Sequence, residues 1–322
     1  MVFQAGRATA REAGLSASVA AVIVAYRSGS HLPNCLAALA GKVEQVVVVD
    51  NTPGESPSPE LQVRFPWAAW IDNDSNRGFA AAANQGILAT DAPYILLLNP
   101  DCELLTDLAG LVAECDAEGV AGAGGLLTDP DGSAQVGFFA RSLPTPTALV
   151  FEALGLNRAW KRNPVNLRYR LLDIRVGMAC DVQQPAGALL LLRRDALAAV
   201  GGLDERFHPA WFEDVDLCKR LSDAGFRLRH TPAVVARHAG AHAVDTLPLQ
   251  ERLLAWYGGL LRYAEKHFSR GRLRCVRCAV LAGLVLRTLY SCVRARSAAQ
   301  ARAYWNTARL VKSGFPNSPS VS

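Results

Sequence analysis

The sequence predicts a wound α/β fold, a mostly parallel sheet with helices on both faces, followed by a basic helical tail. Three observations point there. Apolar runs of strand length, "VAAVIVAY" (19–26), "EQVVVVDN" (44–51) and "YILLLNPD" (94–101), are nearly continuous rather than alternating, as in strands buried on both faces. Helical patterns lie between them. Polar residues gather where the runs end.

The first eighteen residues contain no continuous apolar stretch and read as a flexible segment. Strand 19–26 leads to a helix over 30–40, strand 44–51, and the surface loop "TPGESPSPE", rich in Pro and Ser. A third strand, "AAWIDND" (68–74), a helix over 79–90 and the strand 94–101 follow. "GAGG" (122–125) reads as a site of close backbone packing. Residues 140–180, rich in Arg, Asn and Pro without clear periodicity, read as an irregular insertion. Regular structure resumes with a strand over 188–192, a short helix over 195–200, and a helix over 213–224 with Leu217 and Leu221 on one face and Gly225 at its end. A last strand runs over 227–238. The expected organisation is a segment 1–18, a domain 19–245 and a helical extension 246–322.

Half of the 322 residues are hydrophobic and a fifth are charged, which excludes a disordered chain. No run reaches the ~20 apolar residues that cross a bilayer, so a cytoplasmic protein is the expectation. Eight cysteines without framework spacing read as small buried thiols. The one CxxC, Cys275 to Cys278, has no partner pair to complete the four ligands that zinc takes. Net charge is +5, but residues 252–312 hold thirteen Lys or Arg and one acid, a local +12 that leaves −7 elsewhere. Such a tail suits nucleic acid or an anionic membrane surface. The acidic body repels phosphate, so no nucleic-acid partner is expected. A helix with apolar and Arg-bearing surfaces, as in "CAVLAGLVL" between Arg277 and Arg287, instead suits the headgroup region of a membrane.

Ligands of open parallel sheets collect at the carboxyl ends of the strands. Tyr26 ends the first strand, Asp50 and Asn51 the second, Asp72 to Asp74 the third, Asn99 and Asp101 the fourth. Asp and Asn also favour turns for their own sake, but four such ends in succession argue for a site. The turn "AYRSGSHLP" lacks GxGxxG and no P-loop is present, so a nucleotide diphosphate would have no backbone cradle and would need a cation. Hard divalent cations take carboxylates and substrate phosphates, which gives Asp101 a task. Further candidates are Glu213, Asp214 and Asp216 at a helix start, and His238 at a strand end. Acids in a first turn also complement the helix dipole by about 0.3–1 kcal/mol, and a strand-end histidine is ordinary on its own. The aromatic "HPAWF" before Glu213 nevertheless sets a carboxylate beside apolar rings, an environment that suits a general base.

The ordered set "VIVAYRSGSHLPNCLAAL", "VVVVDN", "NRGFAAAANQG", "LLLNPD", "DPDGS", "PAGALLLLRRDALAAVGGLDERF", "WFEDVDLCKRLSDAGF" and "VARHAGAH" resembles the inverting glycosyltransferases of family 2, with the GT-A fold, and within them the rhamnosyltransferase-like branch. The resemblance covers residues 19–242. It implies that Asp50 reads the nucleotide base, that Tyr26, Asn76, Asn84 and Asn99 lie at the nucleotide-sugar, and that Asp101, in the place of the DxD motif, binds Mg2+ or Mn2+. It also implies that His238 completes the metal site, that Asp214 is the catalytic base, and that Trp211 and Glu213 face the acceptor. Two positions depart from the pattern. Asn99 replaces the first Asp of DxD and removes a negative charge, and Ala25 stands where many relatives carry Thr.

The activity so implied is metal-dependent transfer of a deoxyhexose such as rhamnose from its dTDP donor to a lipid-linked saccharide in cell-envelope polysaccharide synthesis. The enzyme would be peripheral on the inner face of the cell membrane. Two rivals are a sugar-1-phosphate nucleotidylyltransferase, for which "AYRSGSHLP" is a poor phosphate loop, and a non-catalytic sugar-nucleotide or polysaccharide-binding protein.

Overall fold

The computed structural model describes residues 18–28, 30–54, 59–240 and 247–313. The expected segment 1–18 lies outside the described residues apart from Ser18, as does the middle of the Pro- and Ser-rich loop. Within them the chain runs β1 (Val19–Ala25), α1 (Leu32–Leu39), β2 (Gln45–Asp50), α2 (Pro59–Arg64), β3 (Ala68–Asp72), α3 (Phe79–Leu88), β4 (Tyr94–Leu98), β5 (Cys102–Leu104), α4 (Ala109–Cys115) and β6 (Val120–Thr128). It continues with β7 (Ala140–Arg141), α5 (Pro146–Leu154), α6 (Leu156–Ala159), α7 (Pro164–Tyr169), β8 (Cys180–Val182), β9 (Gln184–Pro185), β10 (Leu189–Arg193), α8 (Arg194–Ala199), α9 (Glu213–Asp223) and β11 (Arg227–His238). Three long helices close the chain: α10 (Leu249–His267), α11 (Arg270–Val293) and α12 (Ala298–Ser313).

The central sheet has the order β3-β2-β1-β4-β10-β6-β11-β5, with β8 also paired to β11. Strands β1 to β4 are mutually parallel, β10 is inserted antiparallel between β4 and β6, and β11 runs parallel to β6. Helices cover both faces, as the nearly continuous apolar strands require. Leu32, Leu36 and Leu39 of α1 and Leu111 of α4 pack on one side. Ala82 and Ile87 of α3 and Leu217 and Leu221 of α9 pack on the other. Each fully buried leucine is worth about 1.5–3 kcal/mol, and the 3.6-residue spacing within α1 and α9 delivers them to one face. "GAGG" packs as closely as its composition suggests: a Cβ on Gly122 would meet Leu191 O at 2.6 Å, and one on Gly124 would meet Pro185 Cβ at 2.6 Å.

Residues 146–169, most of the segment read as irregular, form three short helices. Thr145 caps α5 by accepting from Ala148 N at 3.1 Å, Pro146 starts it, and Gly155 ends it with φ +77. Asn163 caps α7 in the same way, with Pro164 first in the helix. A proline just inside a helix start is favoured because its missing N–H would have had no helical partner. Two of the three prolines that suggested irregularity, Pro146 and Pro164, therefore mark helix starts.

The C-terminal helices form a third core with the body. Tyr257, Leu260 and Tyr263 of α10 and Val280 and Leu284 of α11 pack with Leu149, Phe207, Phe212 and Val215. Helix α11 crosses α5 so closely that a Cβ on Gly283 would lie 2.0 Å from Ala153 O, and Arg287 Nη1 donates to that same carbonyl at 2.7 Å. By length and composition α11 could cross a membrane, its mean hydropathy reaching 1.6 over 18 residues, although a third of that stretch is buried in the protein.

Candidate active site

The strand ends and α9 converge on one cavity of about 810 Å³. Tyr26, Asn76, Asn99, Asp101, Trp211, Glu213 and Asp214 all line it. Asn51 lies at the hub of one wall: its Nδ2 donates to Asn76 Oδ1 (2.9 Å), while its Oδ1 accepts from Arg77 N (3.0 Å) and Asn73 Nδ2 (3.2 Å). Asp50, Asn84 and His238 are not among the lining residues. Asp50 is buried and accepts from Thr52 N at 2.8 Å, fixing the turn that presents Asn51. Asn84 clamps a distant turn, accepting from Leu203 N (3.0 Å) and donating to Leu203 O (2.9 Å). It therefore ties α3 to the segment that leads into His208 and Trp211.

On one side of the cavity, His238 Nε2 lies 3.5 Å from Asp101 Oδ1. The tautomer follows from Gln135. That amide nitrogen donates to Asp129 Oδ1 (2.7 Å) and His238 O (3.0 Å), so its oxygen is what faces His238 Nδ1 at 2.9 Å. Nδ1 therefore carries the proton. Burial lowers the imidazole pKa, keeping the ring neutral, so buried Nε2 is a bare lone pair without a hydrogen-bond partner, turned toward a carboxylate. Two electron-rich groups so placed fit a divalent cation, with Gln135 as the outer partner that orients the imidazole. Cys102 belongs to the same cluster, but its Sγ lies 3.3 Å from Ala188 O, to which its thiol donates. Asp101 Oδ2 accepts from Gly240 N at 3.1 Å.

The other side is built by α9. Trp211 and Phe212 have φ of 75 and 72, a left-handed conformation that bulky side chains adopt only when their surroundings enforce it. Enforcement comes from Trp256, whose ring lies edge-on to Trp211 (5.6 Å, 80°), and from Gly259, where a Cβ would lie 2.5 Å from Trp211 O. The strained turn aims Glu213 and Asp214 inward. Burial, then the charge of Asp214, raises the Glu213 pKa well above the carboxylate range, and its Oε2 has no hydrogen-bond partner. Asp214 is also raised by burial, but its oxygens accept from Val215 N (2.8 Å), Gln184 Nε2 (3.2 Å) and Gly187 N (3.4 Å), donors that favour the ionised form. Adjacent carboxyls thus differ: burial without a hydrogen-bond partner disfavours the charged form of Glu213, whereas three donors favour the charged form of Asp214.

Sequence reasoning gave no task to Asn51, Arg141, Gln184, Gly187, His208 or Arg262, all of which line the cavity. Gln184 precedes "PAG" and Gly187 ends it, so a signal was present without a chemistry attached. Asp216 turns away from the cavity. Its buried carboxylate meets Arg220 Nε (2.7 Å), Lys266 Nζ (2.9 Å) and His267 Nε2 (2.7 Å), tying the start of α9 to the end of α10.

A wound, mostly parallel sheet covered by helices, with a cavity at the carboxyl ends of its strands, has the GT-A architecture. The description "Glycosyl transferase family 2" matches residues 20–153. The chain is 31% identical over 262 residues to N-acetylglucosaminyl-diphospho-decaprenol L-rhamnosyltransferase of Mycobacterium tuberculosis, an alignment covering 76% of this chain and 84% of that one. It is 25% identical over 185 residues to rhamnosyltransferase WbbL of Escherichia coli, covering 57% of this chain and 64% of that one, just under two thirds of that relative's length. Among solved structures, the mannosyltransferase PcManGT of Pyrobaculum calidifontis, in complex with GDP-Man and Mn2+, superposes with a TM-score of 0.51 at 14% identity, covering 91% of this chain and 86% of that one. The chain belongs to glycosyl transferase family 2 and is an inverting-type glycosyltransferase.

Proposed function

We propose that the protein transfers a deoxyhexose, rhamnose carried on dTDP, to a lipid-linked saccharide in cell-envelope polysaccharide assembly, using Mg2+ or Mn2+ held by Asp101 and His238. The observation that carries this reading is the bare His238 Nε2, buried 3.5 Å behind Asp101, whose carboxylate lines the same cavity as Asp214. When bound, the cation offsets the negative charge that builds on the leaving diphosphate. Asp214 takes the proton of the acceptor hydroxyl as that oxygen bonds to the anomeric carbon from the face opposite the breaking bond to diphosphate, so one displacement inverts the configuration. Tyr26, Asn76 and Asn99 line the donor side, with Asp50 behind Asn51, while Trp211 and Glu213 face the acceptor. Asn84 acts as a positioning residue through Leu203. The sugar and acceptor are read from the mycobacterial relative, whose name specifies a rhamnosyltransferase acting on a decaprenol-linked sugar.

In this reading residues 19–245 supply the transfer chemistry and 246–322 the contact with an anionic membrane from the cytoplasmic side. Support comes from one surface of α11, where Leu289, Tyr290 and Val293 are 57%, 64% and 71% exposed, and from Arg294, Arg296, Arg302 and Arg309 around it. No acid follows Glu265, and each basic residue near anionic lipid contributes about 1 kcal/mol.

The test is transfer from dTDP-rhamnose, with UDP-sugars in parallel, to a lipid-linked GlcNAc acceptor. EDTA is expected to stop turnover and Mg2+ or Mn2+ to restore it. Asp101→Ala is expected to abolish divalent-dependent nucleotide binding in calorimetry, and His238→Ala to weaken it less, because imidazole brings no charge to a hard cation. Unchanged dTDP affinity in the Asp101 variant, with and without Mn2+, would remove the metal role.

A further inference from the structure

The cavity has two unlike ends. Asn51, Asn76, Asn99 and Asp101 make one end polar, whereas Leu247, Leu254, Ala255 and Trp256 with Leu310 of α12 make the other apolar. Arg141 and Asp214 also line it. Resting on the reading that the acceptor is lipid-linked, we propose that the apolar end seats the first isoprenoid units of a polyprenyl-diphosphate acceptor and that Arg141 binds its diphosphate.

Arg141 is held in place before any ligand arrives. It sits opposite Gln184 in the β7–β9 pair, and Gln184 is the residue that donates to Asp214. Its Nε donates to Gly137 O at 2.6 Å, and its guanidinium lies 5.6 Å from the centroid of Phe138, the ring stacked on His238 at 5.1 Å. Among the described residues no carboxylate lies within ion-pair distance of Arg141, whereas Arg170 of the same cavity is paired with Glu152 at 3.1 Å. The charge of Arg141 reaches Asp214 and lowers its pKa, but no carboxylate closes off the guanidinium, whose planar fork can match two phosphate oxygens at once.

The apolar end indicates what the diphosphate carries. Leu254 and Leu310 are half-buried, and Trp256 packs its edge on Trp211 beside the acceptor-side Glu213. Glu251, the acid α10 gives this end, is solvent-exposed. Helix α12 reaches both the cavity, through Leu310, and a groove shared with α11, through Trp305, Ala308 and Arg309. A prenyl chain leaving the cavity past Leu310 therefore meets the exposed apolar face of α11 and Trp305, with arginines around it. The continuity suits a ligand with a charged head and a long hydrocarbon tail lying at a membrane surface.

The donor nucleotide also brings a diphosphate, so the experiment must separate the two sources. Calorimetry on the full-length protein in EDTA would compare farnesyl diphosphate, inorganic diphosphate and farnesol, and a parallel titration would use dTDP and UDP with Mn2+. Wild type is expected to bind farnesyl diphosphate more tightly than either fragment. Arg141→Gln should weaken farnesyl diphosphate by at least about tenfold, with partial recovery in Arg141→Lys. Leu254→Gln and Leu310→Gln should weaken farnesyl diphosphate but not inorganic diphosphate, with thermal melts matching wild type. An Arg141→Gln variant that loses nucleotide affinity and keeps farnesyl diphosphate would assign the guanidinium to the donor and overturn the inference. Wild type that binds nucleotide with Mn2+ but no farnesyl diphosphate would overturn it while sparing the transferase reading, which instead fails if neither nucleotide binds.

Discussion

In the proposed reading, the donor side and the acceptor side of the cavity are assembled by opposite means. The donor side is local: Tyr26, Asn51, Asn76 and Asn99 each sit at or just beyond the end of a parallel strand. The acceptor side is remote. Asp214 depends on Gln184 and Gly187, Trp211 depends on Trp256 and Gly259, and the helix beneath Asp214 is anchored through Asp216 to residues fifty positions away. A wound sheet therefore supplies a nucleotide site almost automatically, whereas a site for a second substrate has to be built from whatever packs over it.

Substitutions can break that comparison. The largest expected effect is Asp214→Asn, which should lower turnover by at least about 10²-fold while leaving dTDP affinity intact. Its burial-raised pKa also sets a direction: wild-type turnover should fall, as pH falls, along an acid limb lying above the ordinary carboxylate range, and the variant's residual rate should lack that limb. Loss of nucleotide affinity in this variant would mean that the two sides are not separate.

Next in size is Asp216→Asn. Burial opposes ionisation of Asp216, but His267, Lys266 and Arg220 outweigh it and hold the folded pKa below the usual value. A depressed folded pKa contributes stability that is present above the unfolded value and is lost as pH falls through the folded one. The variant should accordingly be about 3–5 kcal/mol less stable at neutral pH, the scale for breaking a buried ion pair, with the gap from wild type closing in acid. Denaturant melts at neutral and acidic pH measure both. A gap that widens in acid would show that the network is not what stabilises α9.

The smallest effect sharpens the comparison. Gly283→Ala forces a Cβ against Ala153 O and should cost about 1–3 kcal/mol in a thermal or denaturant melt. Nucleotide binding should stay at the wild-type level, since α5 and α11 meet far along the chain from the strand ends.

What could be read from the sequence follows the same division. Strands β1 to β4, β10 and β11, the helices on both faces and the ends of α9 are fixed by apolar periodicity and a terminal glycine, which are local signals, and Asp101 and Asp214 stood inside motifs. Strands β5 to β9 carried too little periodicity to be read. Asn84 misled because its motif says where it lies in the chain but not that both ends of its amide are satisfied by Leu203. Residues 140–180 misled because proline reads as a breaker unless the preceding Thr145 or Asn163 is recognised as a cap. Arg141 and the Asp216 network left no local trace. Their meaning arises from partners on other elements, such as Gln184 across β7–β9 and Lys266 at the end of α10.

The Asp216 network also bears on when in its own synthesis the enzyme becomes competent. A nascent chain that has emerged as far as residue 240 already holds Asp101, Asp214 and His238, yet Asp216 has neither Lys266 nor His267 to meet and Trp211 has no Trp256 to hold it. Donor-side groups are thus translated well before the partners that fix the base. In the proposed reading, the last-made helices therefore complete the first-made site.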